Sequence, residues 1–217
     1  MVISHLLWAD DLILISLDEQ TLQNQLDALN QYCLKWGIEV NIFITKVMLL
    51  GSKSRSHAEN TNFKLRSIPL EFVDNYCYLG IVLDKSGSLK LAQSTLKAKA
   101  MISFVGLKGT INLAKISFRA KTSLFDSLIK PILLYRAPIW SPTTSITKNL
   151  SSSIKNKTQN GVTNKISRMN YESVHLSFLK WALGIHRKAS NIGSWGETGR
   201  YPLVYQAINL SLKFFKR

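Results

Sequence analysis

Cysteine is nearly missing from this sequence: Cys33 and Cys77 stand far apart, each among apolar neighbours. Two isolated thiols make neither a disulfide framework nor a zinc site, and core thiols in a reducing compartment are the expected reading. Histidine is also sparse. His5, His57, His175 and His186 show no metal-ligand spacing. No apolar run reaches the roughly 18 residues of a membrane span. The first residues lack the charged-then-apolar order of a secretory signal, so the expected setting is intracellular, cytoplasm or nucleus, without a membrane partner. The chain shows no internal repeat.

Acidic residues are the next shortage, and it is local. Residues 1–84 carry ten Asp and Glu against six Lys and Arg, residues 85–168 carry Asp126 against fifteen, and residues 169–217 carry two against seven. The overall +15 therefore divides into −4, +14 and +5. A block this basic beside an acidic one argues for a polyanion partner, through counterion release from phosphates. The competing reading is a solvated cationic surface that serves solubility.

What the sequence does contain is concentrated early. Trp8-Ala9-Asp10-Asp11 interrupts an apolar run, with His5-Leu6-Leu7 before it and Leu12-Ile13-Leu14-Ile15 after it. The flanks read as two short buried strands, and adjacent Asp residues point alike only at a tight turn. Paired carboxylates in an apolar hairpin need a compensating partner, most naturally a divalent cation. The alternative is a polar hairpin tip with solvated acids.

Ser16-Leu17-Asp18-Glu19 has capping-box spacing, and Leu22, Leu26, Leu29, Cys33 and Trp36 then mark one face of a helix closed by Gly37. Residues 38–40 and 46–50 read as strands around Asn41, and 52–62 as a loop. Residues 65–72 and 76–83 suggest a hairpin across Asp74-Asn75. Beyond Ser88, Leu89, Ala92, Leu96, Ala100, Phe104 and Leu107 mark a second helix, and Leu113 to Ile132 a third that Pro131 ends or kinks. Residues 141–167 are polar and read as a linker or insertion. Residues 171–183, closed by Gly184, predict another helix, 191–202 an irregular stretch, and 203–215 a terminal helix.

The ordered blocks carry more than any one motif. Trp8-Ala9-Asp10-Asp11, Asp18 to Trp36, Glu39-Val40-Asn41, Thr45-Lys46-Val47-Met48, Tyr78-Leu79-Gly80-Ile81, Leu124-Phe125-Asp126-Ser127-Leu128-Ile129-Lys130-Pro131, His175-Leu176-Ser177-Phe178-Leu179-Lys180-Trp181-Ala182-Leu183-Gly184 and Gly199-Arg200-Tyr201-Pro202 follow in turn. This series resembles reverse transcriptases of LINE-type (non-LTR) retrotransposons over most of the chain, least between Ser141 and Ser167. The resemblance implies an α+β fold: a partial polymerase palm over residues 1–84, basic thumb-like helices over 85–140, the polar insertion at 141–167 and a C-terminal helical region at 168–217.

It also implies RNA-directed DNA polymerisation by two Mg²⁺ (or Mn²⁺) ions, on an RNA template and DNA primer with deoxynucleotides. Asp10 and Asp11 match the family's paired catalytic, metal-binding acids. Trp8 stands where the family has Tyr or Phe. Tyr78, Leu79 and Gly80 match the hairpin that grips the primer. Lys46 stands two positions from Ile44, which occupies the place of a family lysine. Lys97, Lys99, Lys108, Lys115, Arg119 and Lys121 would meet the phosphates of the duplex.

The family's other metal-binding Asp, and the fingers, precede the box and are not in this sequence. Arg136-Ala137-Pro138 also departs from the family's usual residues. The chain is expected to be inactive alone, since losing one carboxylate of the clamp removes several kcal/mol of transition-state stabilisation. Two other readings stay open: a non-catalytic nucleic-acid-binding remnant, and an interaction module with no nucleic-acid role.

Overall fold

The structure, a computed structural model, describes residues 3–51, 62–110, 116–141, 166 and 169–216. The fold is α+β: short two-stranded pairings come first and helices follow. The chain separates into two compact units, Met1–Ser88 and Leu89–Arg217.

In the first unit, strands β1 (His5–Trp8) and β2 (Asp11–Leu14) form an antiparallel hairpin. Helix α1 (Glu19–Trp36) follows. Its N-cap is Asp18 rather than the Ser16 of the predicted capping box. A carboxylate is the stronger acceptor, and Asp18 takes hydrogen bonds from the Thr21 amide and hydroxyl, each at 2.8 Å, while the Ser16 hydroxyl donates to the Asp18 carbonyl. Hydrogen bonds at Thr21 hold the Asp18 carboxyl below its usual range. Leu26 and Cys33 are buried as the spacing predicts, but Trp36 is 61% exposed with the Lys35 ammonium over its ring.

Residues 38–40 form no strand. Asn41 satisfies the backbone locally, its side chain accepting from the Phe43 amide and its carbonyl from Thr45, so only β3 (Lys46–Val47) is extended. The expected single strand over residues 65–72 is broken because Arg66 and Ser67 adopt φ of 52° and 64°. They turn β4 (Lys64–Leu65) back onto β5 (Ile68–Pro69), and β6 (Glu71–Phe72) then pairs parallel with β3. The side chain of Gln23 exchanges two hydrogen bonds with the Lys64 backbone and fixes β4 against α1. Leu26, Val47, Phe63, Leu65 and Leu70 form the core there, joined by Leu14, Leu22, Val40, Ile42 and Phe72.

The second hairpin is shifted relative to the prediction. Its strands are β7 (Asn75–Tyr78) and β8 (Ile81–Asp84), and its turn is Leu79-Gly80, not Asp74-Asn75. Leu79 and Gly80 both have positive φ, the requirement of a two-residue turn matched to strand twist. Asp74 instead pairs with Lys85, which holds the open end of the hairpin.

In the second unit, α2 (Lys90–Thr110) buries Ala92, Leu96, Ala100, Phe104 and Leu107 at the predicted spacing. The predicted start of the next helix at Leu113 lies outside the described residues. α3 (Phe118–Leu124) begins at Ser117, whose hydroxyl accepts from the Ala120 amide, and passes into a π turn (Phe125–Ile129) before α4 (Lys130–Leu133) and α5 (Ala137–Trp140). The π turn closes with the Lys130 amide on the Phe125 carbonyl, so Pro131 follows a wide turn and the helix continues past it. Of the predicted linker, residues 142–165 and 167 lie outside the described residues, while Ser141 and Ile166 are buried.

α6 (Asn170–Leu183) ends on left-handed Gly184 as predicted. The expected irregular stretch contains α7 (Asn191–Thr198), capped by Ser190 on the Gly193 amide. Gly193 and Gly196 weaken helix propensity enough to mask it in the sequence. α8 (Leu203–Phe215) has the predicted bounds. Phe104, Phe125, Phe178 and Trp181 make the aromatic centre, with Phe125 and Phe178 stacked at 4.5 Å. Among the described residues no helix is long and apolar enough to cross a membrane.

Candidate functional site

Asp10 and Asp11 lie at the tip of the first hairpin. Trp8 pairs with Asp11, leaving Ala9-Asp10 as a two-residue turn with Ala9 at φ 54°. Non-glycine residues adopt that φ at some cost, and the turn brings two successive acids to one end of the hairpin. The ladder continues past the strands through the Ile15 amide on the Ser4 carbonyl at 2.8 Å.

The hairpin is not the buried pair expected. Asp10 and Asp11 are both exposed, Trp8 is 64% and Leu7 67% exposed, and only Leu14 reaches the core cluster. Two strands alone have no second layer to cover both faces, so apolar side chains at the distal end stay in solvent.

Neither carboxylate has a hydrogen bond or ion pair among the described residues. Adjoining hard oxygen donors suit a hydrated Mg²⁺ ion, which is commonly held by one or two carboxylates together with substrate phosphates. Yet no group of three or more His, Cys, Asp and Glu comes together among the described residues. The residues present thus fit one weakly held ion. They do not supply the several carboxylates that clamp two ions about 4 Å apart, so no two-ion step follows from this chain's residues.

Lys46 is engaged. Its ammonium contacts the Glu71 carboxylate at 2.6 Å across the β3–β6 pair. Tyr78, Leu79 and Gly80 occupy the end of the second hairpin, Tyr78 and Leu79 half-buried and Gly80 exposed. The ring of Tyr76 on the same strand donates its hydroxyl to the Ile44 carbonyl at 3.2 Å and seats that hairpin on the Asn41 turn.

The basic residues differ in exposure. Lys99, Lys108 and Arg119 are exposed, Lys97 is half-buried, and Lys115 lies outside the described residues. Lys121 is a correction: it is buried, and its ammonium points at the Ala182 carbonyl 3.4 Å away at the end of α6. A cation there neutralises a helix C-terminus and cannot reach a phosphate in solvent. On α2 the charges do not share one side either. Lys108 and Lys97 lie to one flank of the outward face and Lys99 to the other, with Ile102 and Val105 exposed between them.

Sequence reasoning missed a buried polar junction in the second unit. Glu172, fully buried on α6, accepts from the Trp195 indole at 3.2 Å and from the Leu203 amide at 2.6 Å. Its Oε1 also lies 2.8 Å from His175 Nδ1. Pro202 caps α8 without a side-chain hydrogen bond, so Glu172 satisfies the first amide of that helix. His175 stacks on Phe125 at 5.3 Å, and its Nε2 has no hydrogen-bond partner among the described residues. Burial, then the Glu172 charge, pushes the neighbouring Tyr171 hydroxyl far above its usual range. Burial lowers the Lys180 ammonium from its usual value, and its three donors hold the Arg187 carbonyl and the Asn191 side chain. Asp126 on the π turn pairs with Arg200 and Lys130. Burial raises its carboxyl, but hydrogen bonds and charge from those cations outweigh this and leave it below the usual carboxylate range. Glu172 and His175 at a three-residue interval on an apolar helix were the available signal.

No family model matches the chain, and no solved structure matches it. Over 141 residues it is 28% identical to an uncharacterized transposon-derived protein of Caenorhabditis elegans. That match covers 64% of this chain and 49% of the other, so the chain spans about half the length of the relative to which it is similar.

Proposed function

We propose that this chain is the C-terminal palm and thumb part of an RNA-directed DNA polymerase of a non-LTR retrotransposon. In the intact parent, two-metal nucleotidyl transfer would extend a DNA primer on an RNA template. One observation carries the reading: two successive carboxylates sit at the tip of an otherwise apolar hairpin that is followed by a helix packed on its core. The transposon-derived origin named for the C. elegans relative agrees with it. Bound Mg²⁺ or Mn²⁺ would supply charge neutralisation at the α-phosphate. This chain's own share is to present the Asp10 and Asp11 oxygens and to offer the exposed Arg119 to a duplex backbone.

The chain alone is inactive on this reading, since its described residues bring no third ligand to the pair. The test has two arms. Purified chain extends a primed RNA template no faster than a buffer blank, and Asp10-dependent deoxynucleotide incorporation would overturn that. Mn²⁺ raises the melting temperature of the wild type through mass action but not that of an Asp10→Asn, Asp11→Asn variant. Equal shifts in both proteins would remove the metal from the proposal.

A further inference from the structure

α2 packs into its unit through Ala92, Leu96, Ala100, Phe104 and Leu107, and its opposite face is not polar. Leu91, Thr95, Ala98, Ile102, Val105 and Gly109 recur at alternating steps of four and three, the spacing of a coiled-coil seam. This seam lies on the solvent side: Ile102 is 74% exposed, Val105 61% and Leu91 36%. Such β-branched residues in open water contribute nothing to the stability of this unit.

Gly109 in the seam and Gly106 beside it point the same way. A Cβ built at Gly106 or Gly109 would meet nothing within 4 Å. A glycine inside a helix costs about 1 kcal/mol relative to alanine. No described neighbour in this chain needs the space, so the absent side chain admits something approaching from outside.

Charge narrows what approaches. Lys99 flanks the seam on one side, and Lys108 on the other, its ammonium 5.5 Å from the Phe104 ring. The helix holds no Asp or Glu. A second copy would set lysines against lysines, which opposes self-pairing. Duplex nucleic acid would satisfy the lysines but would lay charged phosphates and polar groove edges over Ile102 and Val105, a desolvation with no hydrogen bond in return.

We infer that the outward face of α2 docks an α-helix of another protein, with an apolar seam flanked by glutamate or aspartate. The seam fills the hollows between Leu91, Ala98, Ile102 and Val105, the glycines let the backbones approach, and the acids meet Lys99 and Lys108. This surface is independent of polymerase ancestry, so absence of metal or duplex binding leaves it standing.

The probe is a labelled peptide of about four heptads with Ile and Leu on the seam and Glu on both flanks. It is titrated with the full chain and read by fluorescence anisotropy. One control carries Lys on the flanks, and another scrambles the Glu peptide so that no seam remains. The Glu-flanked peptide binds at least about tenfold tighter than either control, an advantage of about 1.4 kcal/mol. An Ile102→Ser, Val105→Ser variant, its fold verified by circular dichroism, loses that preference, and Lys99→Gln with Lys108→Gln weakens it. Equal binding of the scrambled or Lys-flanked peptide overturns the inference, as does a wild-type result from the Ser variant. If the Ser variant instead loses affinity for an RNA–DNA duplex while no peptide binds, the face belongs to nucleic acid and the inference fails.

Discussion

The two units bury their apolar surface to different depths. In Leu89–Arg217 the core is deep enough that Glu172 and His175 are fully buried and still paired with each other. In Met1–Ser88 the strand pairings are two-stranded, and Ile3, Leu6, Leu7, Trp8, Phe43 and Ile44 remain exposed. A helical bundle satisfies its backbone within each helix and can close a core with few elements. A sheet of two strands leaves open edges and uncovered faces, so the same apolar content is only partly hidden. The first unit thus leaves the apolar surface of its hairpin tip in water beside a small core, while the second buries a deep aromatic centre and still exposes the outer face of α2.

The sharpest way to break this contrast is to remove aromatic packing from the second unit. Phe178→Ala, at a fully buried ring between Phe104, Phe125 and Trp181, destabilises by about 3–5 kcal/mol in denaturant titration. A loss under about 1 kcal/mol would mean the centre is loosely packed. Next is the polar junction. Glu172→Ala strands the Trp195 indole and the Leu203 amide, and costs about 3 kcal/mol on the usual penalty per buried orphan group. Glu172→Gln keeps an acceptor and costs less, so equal losses in the two variants would show that packing, not hydrogen bonding, holds the junction.

A pH series sharpens the comparison further. Because the Asp126 carboxyl is held below its usual value in the folded chain, its contribution is present above the unfolded value near pH 3.9 and fades as pH falls through the folded value. The stability gap between wild type and Asp126→Asn is therefore constant near neutrality and narrows below about pH 4. A gap independent of pH would show that the ion pair with Arg200 and Lys130 does not couple to folding. The smallest effect belongs to the first unit: Leu7→Ser with Trp8→Ser shifts stability by no more than about 0.5 kcal/mol, because both sites are exposed. The same pair of changes lowers binding of the apolar dye ANS, and a large loss of stability would place these residues in a core.

The sequence was most legible where one period ruled. The buried spacing of α2, the Gly184 stop of α6 and the span of α8 follow from 3.6-residue patterning and left-handed glycine. It was least legible where side chains compete with the ladder. Asn41, Arg66 and Ser67 break apolar stretches that alternation alone would extend. In the candidate site, the Asp10-Asp11 tip could be placed on a turn from its flanks, but its exposure could not, because burial depends on layers that lie outside the motif. The capture of Lys46 by Glu71 and of Lys121 by the end of α6 depends on residues 25 and 61 positions away, which no local pattern records.

The π turn at Phe125–Ile129 bears on how the chain changes length. Such a turn holds one residue more than the α-helical turn it replaces, so it has the form of an insertion absorbed without disturbing either flank. Ser127 and Leu128 face solvent there, while Phe125 and Ile129 on either side fill the core. Removing one of the two exposed residues would return the segment to ordinary helical pitch, whereas removing one from the middle of α2 would rotate Phe104 and Leu107 off the core. Copies of this sequence that differ in length by one residue are therefore expected to differ here first.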